Sequence, residues 1–119
     1  MSEMDEQGQQ MAMQMQQLRQ KLQQITMQKE NAKNEKKQVE RALDEVNEAD
    51  NDDLYKSVGN VMISREKESL QDELQDQQEE LEVRLKKLEK QEEKVQDKVQ
   101  QMQDKFAQQM GGGMGNLAQ

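Results

Sequence analysis

Apolar residues recur along this chain at alternating steps of three and four, stop at a short β-favouring segment, and then resume. Before the interruption, Met4, Met11, Met15, Leu18, Leu22, Ile25, Ala32, Val39, Leu43 and Val46 keep the pattern. After it, Leu70, Leu74, Leu81, Leu85, Leu88, Val95, Val99, Met102 and Phe106 do the same. Such spacing, with charged and amide residues elsewhere, marks coiled-coil helices, because each apolar stripe leaves water only against a facing stripe. The pattern predicts a first helix over about 4–48 and a second over about 65–110. The chain has no proline, so nothing in either run removes a backbone donor or clashes with the preceding turn. Lys29 and Lys36 fall on the seam, where lysine lowers stability while fixing register and partner. Between Leu74 and Leu85, the run Leu74, Gln77, Leu81, Leu85 carries an added step of four, a stutter that locally unwinds a supercoil.

The interruption has its own logic. An acidic linker from Glu48 to Asp53 is rich in Asn and Asp, which favour turns and caps. The following segment LYKSVGNVMIS, residues 54–64, reads as a β-hairpin in which Gly59-Asn60 forms a two-residue type II′ loop. Val58 then faces Val61 and Lys56 faces Ile63. That register puts Leu54, Val58, Val61 and Ile63 on one face, with Tyr55, Ser57 and Met62 on the other. An isolated hairpin is marginal in water, and this one leaves both outer edges and an apolar face bare. The helices are occupied by each other, so the missing strands are expected from other chains. Ser64 is expected to cap the second helix, with Glu66 and Glu68 in its first turn. Gly111-Gly112-Gly113 is expected to end it, leaving 111–119 as a flexible tail.

Composition removes most other readings. With 31% apolar residues, one Tyr and one Phe in 119 residues, the chain has too little material for an ordinary core. A single domain over 1–119, oligomeric or elongated, is expected. The net charge of −8 argues against nucleic acid, whose binding needs clustered cations. The longest apolar runs, Met11 to Met13 and Val61 to Ile63, are far too short to span a membrane. There is no cysteine and no histidine, and the glycines of 111–115 follow a helix instead of opening one, without the lysine of a phosphate loop. Asp50 and Asp52 have the spacing of a calcium loop, but Tyr55 stands where its glycine belongs and Val61 where its glutamate belongs. A cytoplasmic chain that is not an enzyme and uses no metal or cofactor is expected.

Antiparallel helices joined by a short hairpin pair residues whose numbers sum to about 117, so Met15 meets Met102 and Met11 meets Phe106. Both termini then lie at the end farthest from the hairpin. Of ten methionines, all but Met27 and Met62 cluster there. Methionine is unbranched and polarizable, so a methionine surface adapts to many apolar partners. Met13 is off the seam and is not hidden by the facing helix.

The core Tyr55-Lys56-x-Val58-Gly59 of the hairpin, and LEVRLKKLEKQEEKV from Leu81 to Val95, resemble the β-class subunits of the prefoldin family, most closely the archaeal type. The resemblance covers about Met11 to Met110, and a single hairpin distinguishes the β class from the two-hairpin α class. It implies a mainly α fold: a long antiparallel coiled-coil hairpin whose small β-hairpin joins an oligomeric β-barrel. The implied partners are a prefoldin α-class subunit, in a hetero-hexamer of two α and four β chains, unfolded clients, and a group II chaperonin. The implied function is an ATP-independent holdase that captures clients at the coiled-coil tips. Leu54, Tyr55, Val58, Gly59, Val61, Met62 and Ile63 would carry assembly. Met4, Met11, Met13, Met15, Leu18, Met102, Phe106 and Met110 would carry client binding. The alternative is a structural coiled-coil spacer that handles no clients.

Overall fold

The two apolar stripes become two helices, α1 from Glu3–Glu48 and α2 from Lys67–Leu117, separated by strands β1, Asp53–Val58, and β2, Val61–Glu66. The structure is a computed structural model that describes the backbone of residues 3–117 and the side chains of residues 6–108. The chain divides into two compact units, a terminal one of Met1–Gln28 with Leu88–Gln119 and a hairpin one of Lys29–Lys87.

In the terminal unit the α1 and α2 segments run antiparallel over a seam in which Ile25, Leu88 and Val95 are buried. In the hairpin unit Ala32, Leu70 and Leu81 are buried in the same way. Every other described seam position is half-buried, while Met13, Met27 and Val83, all off the seam, are exposed. Burying each large aliphatic side chain contributes about 1.5–3 kcal/mol, so the stripe rather than helix propensity holds the pairs together. Polar cross-helix pairs report the register. Thr26 Oγ1 donates to Glu92 at 3.4 Å in the terminal unit. In the hairpin unit, Lys36 lies 3.6 Å from Glu82, Gln78 donates to Glu40 at 3.3 Å, and Gln71 donates to Asn47 at 2.8 Å. All fall within two residues of the expected register. Lys36, a seam lysine, reaches both Glu82 and, at 3.9 Å, Glu40. At the stutter, Gln77 and Ala42 fail to fill the seam between Val39, Leu74 and Leu81, leaving an open groove of about 430 Å³.

The hairpin pairs as its sequence predicts, with Val58 opposite Val61, Ser57 opposite Met62 and Lys56 opposite Ile63. Gly59 has φ of +58° while Asn60 does not adopt a positive φ, the combination a type II′ loop requires at its first central position. A Cβ at Gly59 would meet nothing within 4 Å, so any penalty there is backbone strain alone. Gly59→Ala is expected to destabilise the hairpin by about 1–2 kcal/mol, read as a lower thermal midpoint by circular dichroism with unchanged helix content.

Two helix ends differ from expectation. Ser64 does not cap α2: it pairs with Tyr55, and β2 continues through Arg65 opposite Leu54 to Glu66 opposite Asp53. The ladder satisfies these backbone groups directly, and the first helical amide finds a main-chain partner instead of a hydroxyl, Lys67 N donating to Asp52 O at 2.9 Å. Glu66 therefore belongs to the strand and Glu68 alone stays in the first turn. At the other end, α2 runs through Gly111–Gly113 to Leu117 instead of stopping near Met110. Glycine raises the cost of helix by about 1 kcal/mol relative to alanine, yet unlike proline it keeps its N–H and does not break the ladder.

Candidate functional site

Two surfaces carry the candidate residues, one in each unit. The first is the hairpin. Its residues leave helical periodicity because β-branched and aromatic side chains favour a pleated strand, and Gly59 permits the reversal. Tyr55 is 65% exposed, Met62 64%, Val61 61%, Val58 49% and Ile63 45%, whereas Leu54 at the base is half-buried. The sheet has two strands only, so among the described residues both outer edges lack a strand partner. Large apolar side chains gathered on such an edge mark an association surface.

The base of the hairpin is fastened by charge. Glu73 on α2 receives Lys56 Nζ from β1 on one carboxylate oxygen and the Arg65 guanidinium of β2 on the other, at 3.1 Å. Arg65 also donates to Ser69 Oγ at 3.3 Å. The hydrogen bond from Lys56 is the main cause that holds the Glu73 carboxyl below its ordinary range, with the Lys56 and Arg65 charges adding to it and desolvation opposing. At the start of α2, Lys67 Nζ donates to the carbonyls of Asn47, at 3.3 Å, and Ala49, at 2.9 Å. These are groups at the end of α1 that a helix leaves without intrahelical partners.

The second surface lies in the terminal unit. Met15 and Phe106, with Ala12 and Ala107, wall an open groove of about 560 Å³, to which Gln16, Arg19 and Gln103 add polar groups. Met11, Leu18 and Met102 are half-buried along the neighbouring seam, and Met13 stands 61% exposed on α1. Met4 and Met110 lie outside the residues whose side chains are described. The structure thus brings Met15 and Phe106 together in one concavity and leaves Met13 outward. Sequence reasoning passed over Ala12, Arg19 and Ala107, which flank the seam; their signal is position beside a or d residues, not residue type. Among the described residues no three acidic side chains gather as a metal site would need, and no helix is long and apolar enough to cross a membrane.

Comparison with known proteins supplies the family context. The family model for prefoldin subunits matches residues 9–113. Among solved structures, the chain is similar to the crystal structure of the prefoldin beta subunit from Thermococcus strain KS-1. The TM-score is 0.78 at 33% identity, over 85% of this chain and 90% of that one. The comparison with curated proteins returned no match.

Proposed function

The chain belongs to the prefoldin subunit family, as a β-class member of the archaeal type, and from that premise we propose that it is one arm of an ATP-independent holdase. Membership brings a chaperone role and hetero-oligomeric assembly with other prefoldin subunits. The finer reading is a cytoplasmic hexamer of two α-class and four β-class chains, joined through the hairpins, that captures unfolded proteins and passes them to a group II chaperonin. The observation that carries capture is the open groove walled by Met15 and Phe106 beside exposed Met13. It supports a surface that adapts to many apolar segments, since thioether side chains repack at little cost. Nothing in the reading calls for nucleotide: apolar contact of this kind binds and releases without chemistry.

The test is reconstitution with an α-class subunit, followed by dilution of a chemically unfolded protein into the complex without ATP. Light scattering should fall when the complex is present, and the held protein should regain activity once a group II chaperonin and its nucleotide are added. A chain that forms only homodimers and leaves aggregation unchanged would instead be a structural spacer.

A further inference from the structure

The apolar face of the hairpin carries one residue that apolar assembly does not explain. Lys56 sits between Leu54 and Val58 on β1, opposite Ile63, where an aliphatic residue would extend the apolar surface. Arg65, opposite Leu54, lies on that same face. Both cations are partly covered, with side chains 35% and 33% exposed, and both turn to one carboxylate, that of Glu73, which is 27% exposed. The bracket therefore ties three elements, β1, β2 and α2, through one residue. It acts at the base of the hairpin, while Val58, Val61, Ile63, Tyr55 and Met62 stay exposed.

We propose that Glu73 is a positioning residue for assembly: by gripping Lys56 and Arg65 it fixes the attitude in which α2 presents the hairpin to partner strands. Strand pairing is directional, and a ladder closes only when donors and acceptors meet in register. A hairpin free to swing on its two connections loses that freedom on association, and the loss weakens binding. Glu73 removes it beforehand. Two cations on one carboxylate also define a plane, which a single pair does not, and the carboxylate accepts on both oxygens. The Lys56 hydrogen bond holds the Glu73 carboxyl below its ordinary range, so Glu73 remains a carboxylate through the neutral range. Its contribution is present above the usual glutamate range and is lost only as pH falls through the lower folded value.

This inference rests on the reading that hairpins mediate assembly, and its test separates the two. Glu73→Gln, Lys56→Gln and the full inversion Lys56→Glu, Arg65→Glu and Glu73→Lys are made in the full-length chain. Each is titrated with an α-class subunit by sedimentation, and circular dichroism follows the helix content and thermal midpoint of each chain alone. Glu73→Gln and Lys56→Gln should each weaken association about tenfold while helix content holds. The inversion, which keeps one cation between two carboxylates, should recover most of the loss. Association unchanged in Glu73→Gln overturns the proposal. So does a loss that tracks falling helix content, which would make Glu73 an ordinary stability residue, or an inversion that recovers nothing. If a chain with aspartate at both Val61 and Ile63 assembles like the native one, the hairpin reading itself fails, and the role of Glu73 falls with it.

Discussion

Val61→Asp together with Ile63→Asp is expected to abolish assembly with partner subunits while leaving the chain helical. The two side chains are 61% and 45% exposed on β2, so in the chain alone aspartate there meets water and costs little. In an assembled sheet the same positions would be covered. Each substitution then forfeits about 1.5–3 kcal/mol of apolar burial and places a carboxylate without a cation in a dry interface, a penalty of several kcal/mol per ion. Arg65 and Lys56 do not relieve it, since both are held by Glu73. A combined loss above about 5 kcal/mol is more than a thousandfold in association, so no hetero-oligomer should survive at working concentrations. Light scattering or native mass spectrometry reads the outcome, with far-ultraviolet dichroism as control for the helices. An intact oligomer would remove the hairpin from the interface.

The seam, the hairpin and its register were legible in the sequence because each rests on a period: 3.5 for the helices, two for the strands. Every described residue assigned to the seam is buried or half-buried, and Val58 pairs with Val61 as the Gly59-Asn60 loop dictates. What escaped were features set by tertiary partners. Ser64 has the chemistry of a helix cap, but strand pairing with Tyr55 claimed its backbone, and Asp52 supplied the acceptor for Lys67 N in its place. Gly111–Gly113 signals a stop by propensity, which is a cost and not a prohibition, and α2 continues to Leu117. The Glu73 bracket joins residues from three elements, seventeen positions apart in the case of Lys56, and no local pattern announces such a meeting. The groove in the terminal unit was half legible. Methionine clustering pointed to the region, but Ala12 and Ala107 shape the concavity by being small, and an alanine beside a seam carries no signal of its own.

Removing residues 1–15 and 106–119 is expected to spare assembly and eliminate protection of unfolded clients. The hairpin unit, Lys29–Lys87, keeps its buried Ala32, Leu70 and Leu81 and the whole of both strands. The deletion takes Ala12, Met15, Phe106 and Ala107 from the groove and exposed Met13 with them. One groove covering one or two apolar side chains gains at most about 1.5–3 kcal/mol from each, an affinity no tighter than about 40 μM even before the cost of ordering the client. Useful holding therefore needs several arms on one client, where linkage raises overall affinity by about 10²–10⁴. Because that gain multiplies across arms, weakening every groove modestly should cost far more than its single-site energy. Met15→Gln with Phe106→Gln tests this without shortening the chain, since glutamine is a good helix former but cannot wall an apolar groove. Aggregation of a diluted unfolded protein, followed by light scattering at equal complex concentration, should rise to the level without chaperone for the deletion and nearly so for the double substitution. Native mass spectrometry should meanwhile find both assemblies intact. Undiminished suppression by either complex would move client binding off the terminal unit and onto surfaces nearer the hairpins.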